Sequence, residues 1–578
     1  MGLAVSRCHP SESRPPERKS SGLRSADLSI GFLLLTVLST AVLVRIISAG
    51  LITRGFDDDV HFAASLARRY LLLPPGTEVV DMYTQGFLHP LLYVPLLALL
   101  RALGVPPPLQ DGLAIAFVQS VAVGLIALLA YAGSRALLKR GAAVAVACFC
   151  VGPPLLLRPL DPSITQLSPN GEILGSVLLL GLWALLVHRP QVRDTLSGVV
   201  ALSVAAFHLK YQLVPQAWAL ILGAGLGRQR AMRLLAISLL ACLLVDLAVY
   251  RMGGYGLFSR AGSLLGDYMG LVDVDAARQP SSGFSLRGVA VWFVVQGHTL
   301  VGTSPERLTR FLATVRTLAS EAPQFLLAWS VWLLPLLQRR SDGPHSRHDL
   351  KAALLLSAAT IAAILLPNKG MLHYYLLLIP TAVVVMATGL ANFPNLACNA
   401  AASGPASPGS LRRFAFPWWA PPLALAPVVA LLVGTGLTLN RQLVARGNPQ
   451  AALLPADARQ AGLHVYGWHS RLFGLQDTHS SDLRLGTLLA LSWMKQDTEP
   501  YIRALDGPQG RPRFVLDHVA SPNKGGVLAA ANFPPLEELA RRHGINLLEI
   551  YRVRQTNTLG ILYERISDPD QKHEKSRE

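Results

Sequence analysis

Apolar residues along this chain gather into blocks of about 15 to 25, parted by short basic or Pro/Gly-rich joints. A helix needs about 20 apolar residues to cross the hydrocarbon of a bilayer, and many such blocks in one chain leave few soluble folds open to it. The blocks fall at 28–52, 87–104, 112–132, 141–157, 171–187, 195–209, 211–227, 234–250, 321–338, 351–366, 374–392 and 419–439. They predict an α-helical polytopic membrane protein of about 11 to 13 transmembrane helices. A content of 51% hydrophobic and 15% charged residues agrees.

The first block is too long for the apolar core of a signal peptide and lacks a small-residue cleavage pattern, so it reads as a retained span. Ahead of it, residues 1–27 set Arg14, Arg18, Lys19 and Arg24 among serines and prolines, which reads as a disordered cytoplasmic tail. The net charge of +17 does not point to nucleic acid, because much of the excess is Lys and Arg in this tail and in short joints, where the positive-inside rule puts them. The chain is expected in the plasma or inner membrane, with its N-terminus cytoplasmic.

Three basic joints, Arg135/Lys139/Arg140, Arg189/Arg193 and Arg228/Arg230/Arg233, all belong on the cytoplasmic side. That placement collides with simple counting. If 28–52 leads outward, then 87–104 and 112–132 return the chain to the exterior before the first of these joints. Either one block does not cross or one joint breaks the rule, and the sequence leaves both open. From residue 228 onward the alternation is consistent. It makes 252–320 an outer segment, with Tyr255, Phe258, Trp292 and Phe293 and an amphipathic helix over 305–320 suited to the membrane surface. It also leaves 440–578 outside. There the character changes to strand-like runs at 463–466 and 513–516 and helical stretches around 483–495 and 535–543, a small extracytoplasmic α/β domain.

Cys8, Cys148, Cys150, Cys242 and Cys398 lie in the tail, in apolar blocks or in a cytoplasmic joint. They offer neither a disulfide-stapled exterior nor metal-ligand spacing.

Between the first two blocks runs an outer loop, 53–88, that is charged and aromatic instead of a plain connector. It opens on Asp57, Asp58 and Asp59. A helix follows with Phe62, Leu66 and Tyr70 on one side, then a Pro-Pro-Gly turn at 74–76, and Gly86, His89 and Pro90 lead into the second block. Further polar residues sit where other blocks end at the same membrane face: Arg158 and Asp161; Asn170, Gly171 and Glu172; Lys210 and Gln212; Asn368, Lys369, His373 and Tyr374. Ionisable groups at membrane depth are costly and face a cavity or a partner, so several at one depth imply a wet cleft. The set has both signs. Carboxylates can take a proton from an acceptor hydroxyl, while Lys, Arg and His can hold a phosphate.

The loop pattern Asp58-Asp59-x-x-Phe62 after a first span, and Gly86-x-x-His89-Pro-Leu-Leu-Tyr93 leading into the second, resemble the GT-C glycosyltransferases. The likeness is to the branch of protein O-mannosyltransferases and lipid A aminoarabinose transferases. Asn-Gly-Glu at 170–172, His-Leu-Lys-Tyr-Gln at 208–212, His373-Tyr374-Tyr375 and the stretch from His464 to His469 resemble other parts of bacterial members. The resemblance implies a sugar moved from a polyprenyl-phosphate donor to a lipid, glycan or protein acceptor. Asp58 would be the catalytic carboxylate, Asp59 its acidic neighbour, and Lys210 and Lys369 candidates for the phosphate contact. The chain departs from the family's Asp-Glu-x-x-Tyr by Asp59, Phe62 and the extra Asp57, which leaves the register of the catalytic acid open by one residue.

Each feature has a plainer reading. The three acids could cap the helix that follows them. Glu172 and Lys210 could be a solvated helix end and a snorkelling lysine. His89 and His373 could make structural hydrogen bonds. The acids are also oxygen ligands that a divalent cation could use, but consecutive residues on one turn point different ways and no metal is assigned. A transporter or flippase, or a non-catalytic scaffold, are the rival classes. Transport would favour matched broken helices in two halves, which the sequence does not show.

Overall fold

The computed structural model describes residues 25–48, 50–54, 87–155 save 106 and 153, 168–188, 194–251, 325–331, 344–365, 372–397 save 394–395, and 513–522 and 534–566. Also described are scattered positions between 56 and 71, parts of 453–466, and residues 502 and 505. The expected outer segment 252–320, the last apolar block 419–439 and the helical stretch around 483–495 lie outside the described residues.

The described chain is mostly helical. Among the described residues, three helices are long and apolar enough to cross a membrane, at Ala26–Ile47, Leu109–Leu137 and Gly171–His188, while the other apolar helices are shorter. They belong to α1 (Ser25–Ser48), α5 (Pro107–Leu137) and α7 (Gly171–His188). Around them stand α2 (Leu51–Arg54), α3 (Leu88–Leu91), α4 (Val94–Ala102), α6 (Arg140–Gly152), α8 (Asp194–Leu209), α9 (Val214–Gly223), α10 (Arg228–Arg251), α11 (Pro344–Leu365) and α12 (Leu378–Leu390).

Cross-links at the helix ends sort the bundle into two poles. At one pole, Asp27 at the start of α1 accepts from Tyr131 Oη (3.1 Å), Arg135 Nε (3.0 Å) and Arg140 Nε (3.0 Å). His188 at the end of α7 donates through Nε2 to the Ala132 carbonyl (2.8 Å). The Lys139 amide donates to the Leu396 carbonyl beyond α12 (2.8 Å). Basic residues of the 135–140 joint are thus gathered here.

The opposite pole collects the other ends. Arg45, near the end of α1, donates to the Leu155 carbonyl beyond α6 (2.8 Å). A Cβ on Gly112 would run into the Ile52 carbonyl, so the start of α5 rests directly on the backbone of α2. His89 donates to the Pro169 carbonyl just ahead of α7 (3.0 Å).

These links bear on the counting conflict. The 87–104 block, one of the two that the sequence leaves open as crossing or not, begins beside Pro169 and finishes at Val105, whose carbonyl accepts from Gln110 at the start of α5 (2.7 Å). Both of its ends therefore lie at the same pole. The block is broken into α3 and α4 at Leu92 and Tyr93, and a left-handed Gly104 (φ 69°) turns it into α5. Fifteen helical residues rise about 22 Å, short of a hydrocarbon core of about 30 Å. Among the described helices this block is thus a return within one pole and not a passage from pole to pole.

Close approach holds α1 on α5. Cβ atoms on Gly31 and Gly124 would meet the side chains of Leu128 and Ser39, so glycine lets the backbones come together as in small-residue membrane interfaces.

The C-terminal part carries a four-stranded sheet ordered β1-β2-β4-β3, from β1 (His464–Tyr466), β2 (Phe514–Asp517), β3 (Tyr551–Asn557) and β4 (Gly560–Arg565). β1 and β2 match the expected runs and pair in parallel. The β3–β4 hairpin, antiparallel to β2, was not expected from the sequence. Tyr466, Val515 and Tyr563 pack with Leu536, Leu539 and Ala540 of the helix Leu536–Arg542. Val465, Phe514, Leu516 and Leu562 pack separately with Leu454 and Ala458. Asp517 ties sheet to helix, its Oδ2 accepting from the Leu536 amide (2.7 Å).

Gly112→Ala must displace the Ile52 backbone and is expected to destabilise the bundle by about 1 to 3 kcal/mol, read as a lower thermal midpoint in detergent; an unchanged midpoint would contradict the contact. In the C-terminal part, burial holds His518 below its ordinary pKa of 6.5, while its Nδ1 donates to the Leu559 carbonyl (2.6 Å). The unfolded chain takes up a proton that the folded form refuses. The His518 share of stability is therefore whole above pH 6.5 and lost as pH falls below it. Urea midpoints of the C-terminal sheet should drop between pH 7 and 5 in the wild type and drop less in His518→Phe.

Candidate functional site

At the pole away from the 135–140 joint, four residues singled out in the sequence meet. Each is placed by a local break or cap. Asn170 caps α7, its Oδ1 accepting from the Ile173 amide (3.3 Å), which sets Glu172 in the first turn where a carboxylate suits the helix dipole. Lys210 follows the end of α8, where the chain tightens into a 3-10 turn (Tyr211–Leu213) before α9 starts at Val214-Pro215. A Cβ on Gly175 would strike Leu213, so α7 packs tightly against this break. His89 lies in α3, and Tyr374 in the 3-10 stretch Leu372–Leu377 ahead of α12.

Lys210 Nζ donates to Glu172 Oε1, the two side chains being 7% and 0% exposed. The same ammonium stands 5.1 Å from the centre of the Tyr374 ring, a cation–π contact. His89 is buried and within electrostatic reach of both Lys210 and Glu172. A carbonyl can only accept, so the Nε2 that faces Pro169 carries the proton of the neutral ring. The Tyr93 hydroxyl, one turn on, lies 3.4 Å from the same nitrogen.

Alongside, the His208 ring sits between Phe87 and Phe207, centroids at 4.9 and 5.0 Å, and donates through Nε2 to the Cys242 carbonyl (3.3 Å). Gln212 and Gln216 are buried next to the break.

Burying both charges is expensive, and their attraction recovers the cost only because they meet directly. Lys210 is therefore not a snorkelling lysine, and Glu172 is not a solvated helix end. An incoming phosphate would have to share or replace Glu172 as the partner of the ammonium.

The remaining sequence candidates are distributed differently. Asp57, Asp58 and Asp59, and with them Arg158, Asp161 and Lys369, lie outside the described residues, as do Phe62, Leu66 and Tyr70 of the expected loop-helix stripe. His373 shares the 3-10 stretch of Tyr374, its side chain outside the described residues. Both neighbours of the acid run are firmly placed, Phe56 and Val60 being 2% and 0% exposed. Among the described residues no cluster of three or more His, Cys, Asp and Glu could hold a metal ion.

Sequence reasoning quoted Tyr93 in the motif leading into the second block but gave it no role, and it passed over Arg68 and Asp111. Arg68 and Asp111 form a buried ion pair between the loop and the start of α5, and nothing in their local sequence marks them.

No family model matches the chain, and no curated protein matches it. The site must speak through its own geometry.

Removing one partner of the buried pair should be worse than removing both. Lys210→Met takes the ammonium away from a buried carboxylate and is expected to cost about 3 kcal/mol, whereas Lys210→Met with Glu172→Gln recovers much of it. Thermal unfolding of the purified protein checks this, and a single variant as stable as the wild type would remove the pair from the core.

Proposed function

We propose that this chain is an integral membrane glycosyltransferase of the GT-C kind, moving one sugar from a polyprenyl-phosphate carrier to an extracytoplasmic lipid, glycan or protein. The observation that carries the reading is the convergence of Glu172, Lys210, His89 and Tyr374 in one buried cluster at the pole opposite the Asp27–Arg135–Arg140 joint. By the positive-inside rule the basic pole is cytoplasmic, which turns the cluster outward. The elements flanking the loop that opens on Asp57, Asp58 and Asp59, α2 before it and α3 after it, both lie at this pole.

In this reading the prenyl chain stays in the bilayer and its phosphate-linked sugar enters from the side. Asp58 takes the proton of the acceptor hydroxyl. The acceptor oxygen then bonds to the anomeric carbon as the bond from that carbon to the phosphate oxygen breaks, and the electron pair leaves with the phosphate. Lys210 is the cation for that phosphate, with Lys369, Arg158 and His373 as further contacts from neighbouring joints. Glu172 holds Lys210 in place and balances it while the site is empty. Asp59 and Asp57 tune the charge around the base, Asp161 offers a second acid at the rim, and His89 and Tyr374 shape the pocket. The C-terminal α/β part, outside in the same orientation, would meet the acceptor.

A transporter or flippase is the second reading, favoured by the buried Glu172–Lys210 pair itself, since paired charges within a helical bundle also serve transport. The two separate on chemistry. Membranes with wild type, Asp58→Asn or no protein are given a radiolabelled polyprenyl-phosphate sugar. Label should leave the lipid only with the wild type, and Asp58→Asn should lose at least about a hundredfold in rate, the scale of a general base, while still folding. Full transfer by Asp58→Asn would sink the assignment of the base, and label that crosses the membrane still attached to its lipid would favour transport.

A further inference from the structure

The helix after the acid run has a plain surface at its contact with the bundle. Residues 60, 63, 64, 67, 68 and 71 are helical, and Val60, Ala63, Ala64 and Ala67 are fully buried in the main core, with Leu71 packed at its edge. This is the i, i+3, i+4, i+7 stripe of one helical face. Three alanines let the helix come close. They also leave shallow ridges, so that a slide of one turn, about 5.4 Å, sets small residues where small residues were. Such a stripe fixes which face is inward but not how far along the axis the helix sits.

One large polar side chain breaks that degeneracy. Arg68, on the same face, donates through a terminal guanidinium nitrogen to Asp111 Oδ2 in α5, the side chains being 7% and 2% exposed. Asp111 is itself held, because the next residue, Gly112, rests on the Ile52 carbonyl of α2. The pair is not built for strength. Arg68 Nε and Asp111 Oδ1 are buried with no hydrogen-bond partner among the described residues, so the desolvation of two charges is only partly recovered. A one-turn slide would leave both charges unpaired in the core, which makes the wrong register far costlier than the right one. Setting register is the best-attested use of a buried polar pair.

We propose that Arg68 and Asp111 are a register pin, positioning residues that fix the stretch from Val60 to Leu71 along its axis, and through it the acids Asp57, Asp58 and Asp59 that directly precede it in the sequence. The catalytic half of this statement rests on the glycosyltransferase reading; the mechanical half does not. Arg68 follows Asp58 by ten residues in the sequence and meets Asp111 in the core, so it acts as a positioning residue and not on substrate.

The test replaces the pair by apolar residues of similar bulk, Arg68→Met with Asp111→Leu, in the full-length purified protein, beside Arg68→Lys, which keeps a cation. Buried pairs so replaced commonly keep or gain stability. The pin predicts a thermal midpoint at or above wild type for the apolar pair. It also predicts amide exchange over 57–71 faster by about tenfold or more, and kcat lower by about tenfold with donor KM within about twofold. Arg68→Lys should restore most of the exchange protection and most of kcat. Wild-type exchange over 57–71 in the apolar pair overturns the proposal, and so does a loss of thermal stability that tracks the loss of activity, the mark of a merely structural pair. A wild-type protein that transfers no sugar defeats the glycosyltransferase reading alone, and the exchange measurement still decides the pin.

Discussion

Asp27 takes hydrogen bonds from Tyr131, Arg135 and Arg140, and those contacts lock the start of α1 against the end of α5 and the start of α6. Two helices joined start to end must run antiparallel, and every later helix inherits its direction from that pair. His188 closes α7 on the same pole, and the strand-like contact of Leu138 with Ala397 brings the end of α12 there too. All three donors meet one oxygen, Asp27 Oδ1, and two of them are guanidinium groups, which is why a charged group can sit buried at a helix start. Everything at the opposite pole, including the polar cluster, is positioned by consequence.

That cluster is electrically quiet. Glu172 and Lys210 cancel, Tyr374 offers its ring face to the ammonium, and the His89 ring is tied down by a backbone carbonyl. Balanced charge avoids the cost of a bare ion in the bundle. The same economy holds at Arg68 and Asp111, where two charges meet through a single contact. Both pairs sit where small residues or helix breaks bring backbones close, at Gly112 and Gly175. The polar interior is thus assembled at seams where the apolar packing is thinnest.

The sequence makes much of this legible. Block lengths foretell α1, α5 and α7, and the polar residues at block ends foretell that Glu172, Lys210, His89 and Tyr374 share a level, because a helix places its ends at opposite faces. What sequence could not show is pairing. Whether Lys210 reaches solvent or a carboxylate depends on the angle between α7 and the break after α8, and no local pattern encodes that. The 87–104 block was left open for a related reason: hydropathy measures greasiness, not direction, and the break at Leu92 and Tyr93 carries neither Gly nor a charge. The β3–β4 hairpin went unseen because it turns through Thr558 and Leu559 into Gly560, with no Asn-Gly or Asp-Gly to announce it. Arg68 and Asp111, 43 residues apart, look like ordinary solvated charges until the fold closes on them.

The α3–α4 block leaves the bundle and rejoins it at one pole. In a chain whose helices alternate in direction, it is a neutral insertion, adding residues without adding a crossing. Excising a helix that runs from pole to pole, as α6 does between the Asp27 contact and Leu155, would reverse the direction of every helix after it. Excising α3 and α4 would cost the site His89 and its neighbours while leaving each remaining helix pointing as before. This part of the chain can therefore change in length without reversing the helices that follow it.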